Sequence, residues 1–274
     1  MVTIRDFSKK KVADYLKEGC KALLYFPHGL GDDIMFMPLY LKLVELFPQS
    51  EIAVQWAEGR TDIFPQPKEP AYYDYVFVIV FHETPTDYRF QKYSKPECCC
   101  IHELGIDFDL SLDFTWQPPK VQSPFIGVSF MCNSNPNYNI PYYVAKQVWQ
   151  AIQSCGKVPI EIYFRHAQYN VKNGPYDFVN CSTRGVEPSV TAFTGVLQQC
   201  QAFIGVNSGT LCMAAAMYPE RVLHLHNKFP FTYYRKRPIA YIDADGIKPF
   251  DTQEVIKWIH SVCDCAAYRY FSDR

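Results

Sequence analysis

Short apolar runs alternate with amphipathic stretches along the whole chain. The run YVFVIVF is almost entirely apolar, as in a strand buried on both faces of a parallel sheet. Other stretches place apolar residues three and four positions apart, which predicts helices. The predicted strands are residues 22–26, 51–56, 75–81, 110–114, 125–130, 160–164, 202–206 and 221–226. The predicted helices are residues 5–19, 32–47, 142–154, 189–200, 211–217 and 252–262.

A proline-rich segment, QPPKVQSP at residues 117–124, divides this pattern into two halves. Prolines at this density favour a linker, and the alternation of strands and helices restarts after it. Such alternation predicts α/β domains with parallel sheets. We therefore expect two Rossmann-like domains, residues 1–120 and 121–274, with the last helix able to pack back on the first domain.

Composition narrows the functional class. The chain has 274 residues, 48% of them hydrophobic, and a net charge of −1, so it has no general attraction for nucleic acid or anionic membranes. The N-terminal segment is charged rather than apolar, and no run approaches the roughly 18 apolar residues that span a bilayer. The 11 cysteines lack the C-x-x-C spacing of zinc sites. These features predict a reduced, cytoplasmic protein without a metal site.

The most informative stretch is KALLYFPHGLGDDIMFMP, residues 21–38, which predicts a buried strand, a glycine turn and a helix. Open α/β sheets bind ligands at the carboxyl ends of their strands, and a helix beginning there presents unpaired backbone N–H groups. Asp32 and Asp33 would lie in the first turn of this helix. A carboxylate at that point can orient or deprotonate an attacking hydroxyl. An alternative is that Asp32 only caps the helix, and Asp33 could share or take its role.

A second strand, turn and helix are predicted from AFIGVNSGTLCMAAA, residues 202–216. Gly209 permits close approach of a ligand to the backbone. Ser208 and Thr210 can cap the helix and offer hydroxyls to a phosphate. By itself such a turn is equally compatible with a plain connection between a strand and a helix.

Together, these two stretches resemble the signatures of a known family. Residues 28–54, HGLGDDIMFMPLYLKLVELFPQSEIAV, and residues 192–226, AFTGVLQQCQAFIGVNSGTLCMAAAMYPERVLHLH, resemble the heptosyltransferase-like glycosyltransferases, family 9. The resemblance implies a GT-B fold, with two Rossmann-like domains facing each other across a crevice. It also implies an inverting transfer that needs no metal or other cofactor. A nucleotide-diphosphate sugar would be held by the C-terminal domain and an acceptor by the N-terminal domain.

The resemblance also implies roles for individual residues. Asp32 maps onto the general base. The candidate acceptor-binding residues are His28, Gly31 and Asp33, although His28 could instead contact the donor or simply be exposed. The implied donor-binding residues are Ser134, Asn135, Asn207, Ser208, Gly209 and Thr210. The loop of residues 131–141 lacks the basic residue usual in the family, and Arg165 or Arg235 could supply that positive charge instead. The sequence departs from the family pattern where Asn207 replaces an aspartate and Cys212 a histidine. These departures leave the donor base and the sugar open.

Three interpretations of function follow. The first is an inverting hexosyl- or heptosyltransferase that acts on a saccharide or glycan. The second is a non-catalytic nucleotide- or sugar-binding protein derived from such an enzyme, which the departures at Asn207 and Cys212 favour. The third is transfer to a modified nucleic-acid base, which the segment Tyr233–Arg237 permits but the neutral net charge does not favour. A dehydrogenase is disfavoured because no G-x-G-x-x-G follows a strand.

Overall fold

The computed structural model describes residues 1–56, 64–81, 94–107, 123–132, 139–164, 182–186, 190–226, 240–244 and 248–263. These residues form two compact units, one containing the described residues up to 107 and the other those from 123 onward. The predicted boundary at residue 120 and the predicted strand 110–114 lie outside the described residues. None of the described helices is long and apolar enough to cross a membrane.

The first unit is built on a parallel sheet of four strands in the order β1-β4-β2-β3. The strands are β1 (Val2–Ile4), β2 (Lys21–Phe26), β3 (Glu51–Trp56) and β4 (Tyr75–Val78). The helices are α1 (Val12–Leu16), α2 (Leu30–Leu46) and α3 (Lys95–Cys99). The chain passes from β2 to β3 on one side and returns to β4 on the other side of β2. The carboxyl ends of β2 and β4 therefore flank the point where strand order reverses, which is the usual ligand position in such sheets.

The second unit has a parallel sheet of six strands in the order β10-β9-β8-β5-β6-β7. The strands are β5 (Phe125–Ser129), β6 (Val158–Phe164), β7 (Ser182–Val186), β8 (Ala202–Gly205), β9 (Val222–His226) and β10 (Ala240–Asp243). The helices are α4 (Tyr142–Ser154), α5 (Val190–Leu197), α6 (Gly209–Met217) and α7 (Thr252–Cys263). This is the strand order of the dinucleotide-binding fold, with the reversal between β5 and β8. The predicted α/β class with two Rossmann-like sheets is confirmed.

The last helix, α7, packs on the core of the second unit. Its residues Val255 and Ile259 are fully buried and share one hydrophobic cluster with Val148 and Ile152 of α4. Both helices carry apolar residues on one face and polar residues on the other, which is why they lie on the sheet surface. The helix is therefore part of the second unit's own core.

Several predicted bounds were wrong. The predicted helix over 5–19 begins only at Val12, and the N-terminal residues instead form the short strand β1, which pairs with β4. Residues before Val12 turn because the Asp6 carboxylate accepts the Ser8 N–H at 2.9 Å. The predicted strand over 75–81 ends at Val78. Strands β7 and β10 and helix α3 were not predicted.

A glycine in the central strand β5 yields a testable prediction about packing. A Cβ added at Gly127 would lie 2.9 Å from the Phe203 ring, 3.1 Å from Ile162 Cδ1 and 3.3 Å from Cys200 Sγ. We expect Gly127→Ala to lower the free energy of unfolding by about 1–3 kcal/mol, since a well-packed core tolerates extra volume poorly. Gly195→Ala is the control, because a Cβ there meets nothing within 4 Å. Gly195 lies in helix α5, so Gly195→Ala should raise the free energy of unfolding by up to about 1 kcal/mol. Urea denaturation of both variants measures these changes.

Candidate functional site

The carboxyl ends of β2 and β4 are joined by a histidine. After β2, the chain passes through Pro27, His28 and Gly29 into α2. Nε2 of His28 lies 2.9 Å from the carbonyl oxygen of Ile79, which follows β4. A carbonyl oxygen can only accept, so Nε2 carries the proton and donates it. The imidazole also packs edge-on against Phe26, with ring centroids 4.4 Å apart. His28 is therefore fixed at the point where strand order reverses.

Asp32 lies in the first turn of α2, and both of its carboxylate oxygens have partners. Oδ2 accepts the N–H of Gly29, the N-cap residue, at 3.3 Å. Oδ1 lies 2.6 Å from Nζ of Lys95, the first residue of α3. The side chains of this ion pair are only 14% and 13% exposed, so Asp32 is largely, though not completely, shielded from solvent. The carboxylate thus caps the helix and pairs with a lysine at once.

The adjacent carboxylate is placed differently. Asp33 has no exposed surface, because the turn of α2 directs it into the unit, whereas Gly31 and Asp32 remain partly exposed. Of the two carboxylates, only that of Asp32 is in part accessible from solvent. The geometry therefore distinguishes these two neighbours, of which the sequence favoured Asp32 and kept Asp33 as the alternative.

A third carboxylate, on the π-helical turn Cys100–Leu104, supports this edge of the sheet from inside. Glu103 is 2% exposed and accepts the backbone N–H of Val80 at 2.7 Å and of Phe81 at 3.0 Å. Phe81 has a φ of 51°, a left-handed conformation that is uncommon for a bulky residue. Burial raises the pKa of Glu103 to about 7, although the two N–H groups and nearby Lys11 oppose this increase. Glu103 thus holds a strained turn beside the Asp32–Lys95 pair.

In the second unit, the residues Asn207–Thr210 follow β8 at the reversal between β5 and β8. Ser208 is the N-cap of α6, and its Oγ accepts the N–H of Leu211 at 3.4 Å and lies 3.0 Å from the Val206 carbonyl oxygen, to which it donates. Thr210 Oγ1 lies 2.7 Å from Ser208 Oγ, and Thr210 is buried. Because Ser208 donates to Val206, Thr210 is the donor in this pair.

The hydrogen bonds of this cap determine which groups remain to contact a ligand. The hydroxyls of Ser208 and Thr210 both donate their hydrogen to acceptors within the turn, so neither hydrogen is available to a ligand. The N–H of Leu211 is taken by the Ser208 cap, whereas the N–H groups of Gly209 and Thr210, the first two residues of α6, have no partner within the helix. Asn207, Ser208 and Gly209 are half-buried, and Cys212 is buried. An anion at this position would be met by backbone N–H groups and the positive end of the helix dipole.

Four of the predicted donor-binding residues, Ser134, Asn135, Arg165 and Arg235, lie outside the described residues. Elsewhere on the carboxyl edge of the second sheet, His226 Nδ1 lies 3.1 Å from Asp243 Oδ1. His224 is buried, and burial lowers its pKa to about 3, so this ring is neutral. Within the described ranges, no group of three or more His, Cys, Asp or Glu side chains is placed to hold a metal ion.

No family model matches the sequence, and no curated protein matches it. Solved structures do match. The dodecameric, iron-containing heptosyltransferase TibC of enterotoxigenic E. coli H10407, in complex with ADP-D-β-D-heptose, aligns with a TM-score of 0.55 and 18% identity over 85% of this chain. The chain has the heptosyltransferase fold. E. coli ADP-heptose LPS heptosyltransferase II aligns with a TM-score of 0.58 and 15% identity, covering 90% of this chain and 99% of that one.

The heptosyltransferase fold also extends to a family 9 glycosyltransferase from Veillonella parvula, which aligns with a TM-score of 0.58 and 12% identity over 89% of this chain and 97% of that one. The chain spans 65% of the length of TibC, less than two thirds of that protein. The predicted GT-B class is therefore confirmed as a fold.

Sequence reasoning missed two residues of this site, Lys95 and Glu103. The signal for α3 was present, because Ser94 and Glu97 have the S-x-x-E spacing of a capping box with Pro96 between them. Nothing in the sequence indicates that Lys95 meets a carboxylate 63 residues earlier in the chain. That contact arises from the sheet, which places α2 and α3 side by side.

Proposed function

We propose that this protein is a glycosyltransferase that moves a sugar from a nucleoside diphosphate sugar to an acceptor hydroxyl, with Asp32 as the general base. The observation that carries the proposal is the position of Asp32 in a chain with the heptosyltransferase fold. Its carboxylate is largely shielded from solvent and lies where the strand order of the first sheet reverses. A carboxylate shielded from water is well placed to remove a proton from an alcohol that is held beside it.

In the proposed step, the acceptor O–H bond breaks and its proton passes to Asp32. The oxygen's electron pair forms a bond to the anomeric carbon of the donor. The bond from that carbon to the diphosphate breaks on the opposite side, which inverts the configuration. The nucleoside diphosphate leaves with the electron pair. Charges balance, because the carboxylate loses one negative charge and the leaving group gains one.

The second unit would receive the donor. The first turn of α6 begins at Gly209 and supplies backbone N–H groups and a helix dipole, both of which favour a diphosphate. Such fixed dipoles stabilise charge as it develops on a leaving group. In this proposal they act in place of a metal ion, and the donor is of the ADP-heptose kind that TibC binds. The acceptor is a saccharide or glycan hydroxyl.

Thermal unfolding and product analysis with UDP-, GDP-, ADP-, dTDP- and CMP-sugars test this proposal. We expect one class of nucleoside diphosphate sugar to raise the melting temperature, since a ligand at about 100 times its Kd stabilises by about 2.7 kcal/mol. The CMP-sugars carry one phosphate and serve as a control. The same donor should slowly release nucleoside diphosphate, with EDTA present or absent.

A charge introduced at the helix end locates the donor. Gly209→Asp should abolish the shift in melting temperature, because the new carboxylate repels the diphosphate while remaining favourable for the helix dipole. Gln253→Asp makes the same change in the exposed first turn of α7 and should leave the shift intact. A stabilising nucleotide sugar that is never turned over would instead favour the non-catalytic binding protein. If no nucleotide sugar stabilises the protein, the proposal is wrong.

A further inference from the structure

Lys95 places its ammonium group between the Asp32 carboxylate and an aromatic ring. Its Nζ lies 2.6 Å from Asp32 Oδ1 and 5.2 Å from the centroid of the Phe81 ring. A short contact between an ammonium and a carboxylate is a strong, charge-assisted hydrogen bond. A cation within about 6 Å of a ring face gains further electrostatic attraction. The ammonium is therefore held by these two groups, which both belong to the first unit.

The backbone on either side of this contact is also fixed. Ser94, which is 2% exposed, donates to Glu97 Oε2 from its N–H at 2.6 Å and from its hydroxyl at 2.7 Å, so the start of α3 cannot swing freely. The backbone N–H of Phe81 donates to the Glu103 carboxylate, which fixes Phe81. Lys95 thus approaches Asp32 from a rigid position rather than as a flexible surface lysine, which would gain little from an ion pair.

The two oxygens of Asp32 differ in what they can still accept. Oδ1 receives the strong bond from Lys95. Oδ2 receives the N–H of Gly29 at 3.3 Å, which is a long hydrogen bond. Each oxygen has room for a second donor, but Oδ2, whose one hydrogen bond is the weaker, is the better acceptor for an incoming hydroxyl.

We propose that Lys95 is a positioning residue for the transfer reaction, which fixes Oδ1 so that Oδ2 takes the proton of the acceptor hydroxyl. This inference rests on the proposed function. The acceptor O–H bond breaks, its proton goes to Oδ2, and the oxygen's electron pair attacks the anomeric carbon. Lys95 keeps all its protons and touches neither substrate. Its contribution is the orientation of the base, and misplacement of a reacting group by about 1 Å costs about 10²-fold in rate.

Steady-state kinetics of three variants test this role. Lys95→Met keeps the length of the side chain and removes the charge, and we expect kcat to fall about 10²-fold with the KM of donor and acceptor unchanged. Lys95→Arg should restore part of kcat, because a guanidinium can reach the same oxygen. Lys42→Met is the matched control. Lys42 lies on α2 itself, is 21% exposed and pairs with Glu45 at 3.2 Å, so it should have wild-type kcat.

A double-mutant cycle separates positioning from direct contact with substrate. If Lys95 acts through Asp32, then Lys95→Met should have no further effect in an Asp32→Asn background, which is the signature of residues that work as a unit. Additive losses, an effect on KM alone, or an unchanged kcat in a folded Lys95→Met protein would each overturn the proposal. Wild-type protein that turns over no nucleotide sugar would overturn both this inference and the proposed function. Wild-type turnover with an unaffected Lys95→Met variant overturns this inference alone.

Discussion

Asp32→Asn should reduce kcat by about 10²–10⁴-fold while leaving nucleotide-sugar binding intact. The amide has the size of the carboxylate and can still accept the Gly29 N–H, so the helix cap is largely kept. It cannot accept a proton at neutral pH, so the acceptor hydroxyl has no base. Initial rates with the donor identified by thermal unfolding measure the loss. An equal shift in melting temperature for both proteins would show that the donor site is intact.

Asp14 provides a control, because its carboxylate makes the same two kinds of contact as that of Asp32. Asp14 occupies the third position of α1, accepts the N–H of the N-cap residue Lys11 at 3.0 Å, and pairs with Lys17 at 3.2 Å. If Asp32 only caps its helix, then Asp32→Asn and Asp14→Asn should have similar, small effects on activity. A large loss of kcat confined to Asp32→Asn would exclude the capping interpretation. Equal effects would contradict the assignment of Asp32 as the base.

Regular elements with a clear hydrophobic period were predicted well from the sequence. Helix α4 runs from Tyr142 to Ser154 as predicted, because its apolar face is uninterrupted and Pro141 marks its start. The strand β2 and the turn into α2 were also predicted, since an apolar run followed by Gly-x-Gly leaves few alternatives. The positions of Asp32 in the first turn of α2 and of Ser208 as the N-cap of α6 followed from these elements.

What the sequence did not reveal depends on contacts between distant segments. Strand β1 has three residues and exists because it pairs with β4, so no local pattern marks it. The early end of β4 reflects the left-handed Phe81 and its bond to Glu103, a residue 22 positions later in the chain. The pairing of Lys95 with Asp32 is of the same kind. Each required the sheet order, which local propensity does not encode.

The stability of the protein should depend on the ionisation of Glu103. Its folded-state pKa is about 7, compared with 4.5 for an ordinary glutamate, because burial penalises the charged form. The folded state therefore binds the proton more tightly than the unfolded state between these two values. The associated stabilisation is fully present below pH 4.5 and is lost as the pH rises to 7. At 1.36 kcal/mol per pH unit, the loss amounts to about 3 kcal/mol.

Urea denaturation of the wild type and of Glu103→Gln across this range measures the effect. Glutamine does not ionise, so the wild type should lose about 3 kcal/mol relative to the variant between pH 4.5 and 7.5. The exposed Glu18→Gln is the control and should follow the wild type at every pH. Parallel curves for the wild type and Glu103→Gln would mean that solvent reaches Glu103 in the folded protein. In that case a buried Glu103 carboxylate could not account for the position of Phe81 beside Lys95. Another contact would have to support the Asp32–Lys95 pair.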